Sequence, residues 1–103
     1  MTLKVDLLFD PFGARWSDVR AGAIAAEEAG FDRVWTTEFP DRDGLIRATV
    51  VGLATERIGV GTGIAYSFSR HPLALAAAAL DVQEAIGGRF TLGLGSQVKG
   101  HIE

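Results

Sequence analysis

The chain is 103 residues long, carries a net charge of −3, contains no cysteine and is 48% hydrophobic. One domain fits that length, spanning residues 1–103, and the apolar content excludes a wholly disordered chain. The missing cysteines exclude a disulfide scaffold and thiolate metal sites, and the acidic balance argues against nucleic acid as a partner.

The pattern alternates between two periods. Residues 3–9 are rich in strand-forming side chains and stop at the turn cluster Asp10-Pro11-Phe12-Gly13. Ser17 is placed to cap a helix whose apolar stripe is Val19, Ala23, Ile24 and Ala26, with Glu27 and Glu28 on the opposite side. Gly30 suits the left-handed stop. Residues 32–37 form a second strand around Val34 and Trp35. Asp43 caps a second helix, with Leu45, Ile46, Thr49, Val50 and Leu53 as its apolar face.

Residues 57–65 form a third strand, with Ile58, Val60, Thr62 and Ile64 on one side and Gly59, Gly61 and Gly63 on the other. Pro72 fits the first position of a third helix, over residues 73–86, that ends at Gly87-Gly88. Residues 89–94 form a fourth strand, with Phe90, Leu92 and Leu94 opposite Thr91, Gly93 and Gly95. The order β-α-β-α-β-α-β predicts an α/β fold of parallel strands joined by right-handed helical crossovers.

Two architectures accommodate that order. A doubly wound dinucleotide fold needs G-x-G-x-x-G between its first strand and first helix, and Asp10-Pro11-Phe12-Gly13 stands there instead. The alternative is the first half of a (β/α)8 TIM barrel, in which the glycine faces of strands three and four point inward and leave space near the mouth. Close approach of backbones or helices accounts for the same glycines equally well. The strand starts lie about 29 residues apart, so eight units need on the order of 230 residues, near the size of a full barrel. On that count the chain ends just after the fourth strand.

Four segments carry a resemblance: GFDRVWTTE at 30–38, TERIGVGTGIA at 55–65, RHPLALA at 70–76 and GGRFTLGLGSQVKGHIE at 87–103. In order and spacing they resemble the bacterial luciferase-like monooxygenase family, the last one most closely its branch that uses the deazaflavin coenzyme F-420. The resemblance implies an oxidoreductase with a TIM-barrel fold. The reaction it implies is hydride transfer with coenzyme F-420, or FMN-dependent monooxygenation of a small organic substrate. It also implies that this chain is the N-terminal portion. A non-catalytic fragment, or a half-barrel that assembles through its open strand edges, is the competing expectation.

Barrel active sites form at the C-terminal ends of the strands. There Glu38 is the candidate acid/base, its pKa raised by an apolar pocket around Trp35 and Phe39, or else it is a solvated loop acid or a partner for Arg42. The resemblance places Thr37 and Glu38 near the cofactor ring, although many relatives carry a histidine there and this sequence reads Thr37-Glu38-Phe39. It places Gly63-Ile64-Ala65 at a bulge with a non-prolyl cis peptide that supports the ring. Gly95 and Ser96 are small enough to admit the ring or its side chain, or else form a plain turn. Asp10 either faces the mouth or shapes the turn before Pro11. His71 reads as a cap or surface residue, His101 as exposed, and Trp16 and Trp35 as packing. No targeting or membrane-spanning segment is visible, so the default location is the cytoplasm. The alanine-rich third helix lets another helix approach closely, and the resemblance implies a homodimer through the second and third helices.

Overall fold

The computed structural model describes residues 6–9, 15–39 and 42–96. The start of the first strand, the 10–13 turn with Asp10, and Gln97 and His101 lie outside the described residues. The elements alternate as expected: β1 (Asp6–Phe9), α1 (Trp16–Glu28), β2 (Arg33–Thr36), α2 (Gly44–Ala54), β3 (Gly59–Thr62), β4 (Ala65–Tyr66), α3 (Pro72–Ala85), β5 (Phe90–Thr91) and β6 (Leu94–Gly95). Strands β1-β2-β3-β5 make a parallel sheet in that order, and β4 pairs with β6 in a second, parallel pair.

One observation separates the two architectures. The register aligns Val34 with Val60 and Val60 with Phe90, so the three side chains share one face of the sheet. All three join a single buried cluster with residues of every helix: Val19, Ala23 and Ala26 from α1, Leu45, Ala48 and Val51 from α2, Leu75 and Val82 from α3. Helices on one face and strands in sequential order are the winding of a barrel, whereas a doubly wound sheet has helices on both faces. Burial of each large side chain in that cluster contributes about 1.5–3 kcal/mol.

The opposite face is not bare. Trp35 is in register with Gly61, and a Cβ on Gly61 would stand 2.5 Å from the indole Cζ3. A Cβ on Gly59 would stand 2.9 Å from Arg33 Nε. The Arg33 guanidinium lies 5.4 Å from the indole centroid, and the indole N–H donates to Asp6 (3.0 Å). The inward glycines therefore make room for an Arg33–Trp35 layer, which corrects the expected open face and keeps Trp35 as a packing residue.

Several local expectations hold. Asp43 caps α2 by accepting from Ile46 N–H (2.8 Å), and Pro72 opens α3. His71 caps α3 through Nδ1, which accepts from Leu73 N–H (3.1 Å). Gly30, Gly87 and Gly88 take positive φ at the helix ends. Others are corrected. Helix α1 begins at Trp16, ahead of Ser17, and the Asp18 carboxylate accepts the Arg15 N–H (3.4 Å). Ile24 is partly exposed. The buried side of α2 is Leu45, Arg47, Ala48, Val51 and Gly52, while Ile46 (56%) and Leu53 (66%) face outward. The reason is Gly52, where a Cβ would collide with the Ile86 side chain: α3 sits so close that the small residue must face it. Among the described residues no helix is long and apolar enough to cross a membrane.

Glu27, expected on the open side of α1, instead accepts the backbone N–H groups of Glu56 (3.1 Å), Arg57 (2.8 Å) and Ile58 (2.9 Å). The Arg57 N–H is the largest influence holding its carboxyl below the ordinary value of 4.5, with Ile58 and Glu56 adding to it against the opposing effect of burial. A carboxyl lowered by folding stabilises the native state above its unfolded value, and that contribution fades as pH falls through the folded value. E27Q is expected to lower the melting temperature at pH 7, with the gap to wild type closing below about pH 4. Thermal denaturation from pH 3 to pH 8 checks this, and a gap independent of pH contradicts it.

Candidate functional site

The alternating pattern carries strand three from 57 to 65 and strand four from 89 to 94, while the family resemblance places a cis peptide at Gly63–Ile64, where the structure has it. Both strands break at the same level. Between β3 and β4 lies the Gly63–Ile64 peptide, which is cis; between β5 and β6 lie Leu92 and Gly93. The backbone bonds show how the break is spanned. Gly63 N–H donates to Thr36 O (2.7 Å) and Glu38 N–H donates to Ile64 O (3.2 Å), both towards strand two. Ala65 N–H then donates to Gly93 O (2.8 Å) and Ser67 N–H to Gly95 O (3.0 Å), towards strand four.

Thr62 bridges the gap left between β5 and β6. Its hydroxyl accepts from Gly93 N–H (2.9 Å) and donates to Gly93 O (2.8 Å). A Cβ on Gly93 would collide with the Thr62 carbonyl oxygen, so only glycine lets the strands come this close.

The structure thus gathers most of the residues singled out in the sequence at the C-terminal end of the strands. Thr37 follows β2, directly after the Thr36 carbonyl that accepts from Gly63 N–H; its hydroxyl oxygen is buried and has no hydrogen-bond partner among the described residues. The atoms nearest to a Cβ on Gly63 would be those of Trp35, the closest at 3.5 Å, an ordinary contact. Ile64 is half-buried, and its side chain lies against Gly95, where a Cβ would meet Ile64 Cδ1. That fills the space expected over Gly95. Ala65 is fully buried, and Ser96 is exposed.

Glu38 departs most from expectation. It is 6% exposed, and its surroundings are polar rather than apolar. Oε1 accepts from Tyr66 N–H (2.7 Å) and Arg70 (3.0 Å). Oε2 accepts from Gly44 N–H (2.8 Å) and Arg70 (2.6 Å). Its cationic partner is Arg70, not Arg42, whose backbone forms a two-bond bridge with Phe39. Arg70 also meets Asp43 (2.6 Å), and its hydrogen bonds to Glu38 do most to push its pKa above the usual arginine range, against some loss from burial. No local motif pointed to Arg70: it entered the sequence reading only as the first letter of RHPLALA.

The sequence profile of the luciferase-like monooxygenases matches residues 6–103. The chain belongs to the luciferase-like monooxygenase family. It is 40% identical over 81 residues to an uncharacterized protein of Mycobacterium tuberculosis, covering 79% of this chain and 24% of that one. It is 38% identical over 74 residues to 5,10-methylenetetrahydromethanopterin reductase of Methanolobus tindarius, covering 71% and 23%. The fold matches coenzyme F-420-dependent tetrahydromethanopterin reductase from Methanopyrus kandleri with a TM-score of 0.87 at 22% identity, over 99% of this chain and 29% of that chain. It also matches the oxygenating constituent of 3,6-diketocamphane monooxygenase from Pseudomonas putida, solved with FMN, with a TM-score of 0.84 at 19% identity, over 94% and 30%. The chain spans about a quarter of the length of the curated relatives it matches, and its fold is a partial barrel.

The Thr62 bridge yields a direct expectation. T62V keeps shape but strands the Gly93 N–H, while Gly93 O keeps its bond from Ala65 N–H, so it should cost about 1–3 kcal/mol, whereas T62S should stay near wild type. Urea denaturation separates the two, and equal midpoints for T62V and wild type contradict the bridge.

Proposed function

We propose that this chain forms the N-terminal part of a barrel oxidoreductase, and that the crown formed by Thr37, the 63–65 turn and residues 95–96 seats one side of a flavin-type ring. The observation that carries this reading is the buried Thr37 hydroxyl without a partner among the described residues, on a residue whose two neighbours are bonded by backbone to the 63–64 turn, Thr36 O from Gly63 N–H and Glu38 N–H to Ile64 O. A buried hydroxyl left unpaired is costly, so a ligand atom that bonds it gains that energy back. An apolar shelf beside one polar group fits a planar heteroaromatic ring with an acceptor on its rim.

Within this reading Thr37 donates to the ring edge and Ile64 covers one ring face and excludes water. Gly63 leaves the approach clear, Ser96 supplies an exposed hydroxyl at the rim, and Gly95 and Ala65 act through the backbone that holds Ile64 in place. The cofactor preferred is coenzyme F-420, supported by the name of a relative from Mycobacterium tuberculosis, a putative coenzyme F420-dependent oxidoreductase 37% identical over 94 residues; FMN is the alternative, supported by the fold match solved with it. Bound, the former supplies hydride transfer and the latter oxygen activation for monooxygenation. The substrate is a small organic molecule, and the work is cytoplasmic, where a soluble redox cofactor and its substrate meet.

A homodimer through α2 and α3 is part of the same proposal. It is supported by Ile46 and Leu53 on α2 and Leu73 (75%) and Leu80 (71%) on α3, each pair one heptad apart and exposed. A second reading, a module without turnover, is favoured by the groove of about 380 Å³ between α3 and β5. It is lined by Ala76, Leu80, Phe90 and Leu92 beside a strand that has no neighbour on its outer side among the described residues.

Fluorescence titration of the purified chain with F-420 and with FMN decides between them. The proposal expects micromolar binding, tighter for F-420, weakened about tenfold or more in T37V, from a sample whose light-scattering mass is that of a dimer. No binding of either cofactor supports the module, and a monomer mass removes the dimer.

A further inference from the structure

The Glu38 carboxylate has no free capacity. A carboxylate offers about four lone-pair sites. Here four N–H donors fill them: the amides of Tyr66 and Gly44, and two nitrogens of Arg70. Glu38 therefore presents no free lone pair to a substrate, because its acceptor sites are spent on Gly44, Tyr66 and Arg70. The same residue reaches the turn a second time, because its own N–H donates to Ile64 O (3.2 Å). Glu38 therefore grips residues 64–66 from both sides, by backbone at Ile64 and by side chain at Tyr66.

The chain of bonds continues outward. Arg70 is shared with Asp43, whose other oxygen caps α2 at Ile46. The start of α2, the 63–66 turn and the loop before α3 meet at one carboxylate. All lie at the end of the strands where Thr37 and Ile64 stand.

We infer that Glu38 and Arg70 are a positioning pair, which sets the height and tilt of the 63–66 turn beneath a bound ring and takes no part in proton transfer. The inference rests on the proposed seating of a flavin-type ring at that turn. Arg70 sets the geometry as well as the charge: its planar fork engages both carboxylate oxygens at once, which a lysine ammonium cannot reproduce. The proton donor of the reaction must then come from another group.

The test uses R70A and R70K in the full 103-residue chain, with the cofactor that wild type binds as probe. Far-UV circular dichroism first establishes the temperature at which each variant remains folded. At that temperature R70A should bind roughly 5- to 150-fold more weakly, the span of an ordinary coupling between two sites. R70K should fall between R70A and wild type. Millimolar guanidinium should restore R70A towards wild type and leave R70K unchanged, a rescue that a general loss of stability would not show. In 15N-resolved NMR spectra the amide shifts of residues 64–66 should move in R70A and return with guanidinium. Folded R70A with wild-type affinity overturns the inference while leaving the seat intact. Wild type that binds neither cofactor removes the seat, and the inference with it.

Discussion

Everything at the C-terminal end of this sheet depends on one buried carboxylate. Glu38 sits out of water, where an unpaired charge is costly, and it is tolerated because Arg70 and two backbone amides meet it together. Because those amides belong to Gly44 and Tyr66, completing the charge also fixes where α2 begins and where strand three resumes after its break. Removing Arg70 alone would leave a buried charge with only two amides against it, a larger loss than that of one surface ion pair.

The other end of the sheet is tied in the same manner with the roles reversed. Arg89 spends its side chain on the oxygens of Gly52 (2.7 Å), Ile58 (2.8 Å), Ile86 (2.9 Å) and Thr55, and so joins the end of α2 to the start of β3. Glu27 gathers the three amides of residues 56–58 beside it. Between these two polar ends lies an apolar core on the helix side and the Trp35 layer, seated on glycines, on the inner side. The molecule thus separates a stapled base from a crown whose segments are held in place yet leave Thr37 unpaired, as expected where barrels keep stability at the bottom and chemistry at the top.

How much of this was legible in the sequence depends on the range of the interaction. Periodicity exposed the βα alternation, and local chemistry exposed the Asp43 cap, the Pro72 start and the glycine stops, because each acts within one helical turn. The breaks at 63–64 and 92–93 were not visible in the alternating pattern, which continues through both; the first was expected only through the family resemblance. The glycine face could be seen but not its occupant, since Trp35 reaches Gly61 from a neighbouring strand. Arg70 lies 32 residues from Glu38, and Glu27 about thirty from the amides it binds. Parallel strands with helical crossovers bring together residues one unit apart, so such partners have no local signature. The outward-facing Ile46 and Leu53 failed for a related reason: helix α3 decides which side of α2 is covered, and Gly52 faces it.

The central claim is that the Glu38 carboxylate is fully engaged and carries the crown. Amide hydrogen exchange at Tyr66 and Gly44 tests it most directly, because each of these N–H groups donates to that carboxylate. The account predicts that both exchange as slowly as the β3 amide of Val60 and that both lose protection together in E38Q. Fast exchange of Tyr66 in the wild-type chain, or protection that survives E38Q, would contradict it.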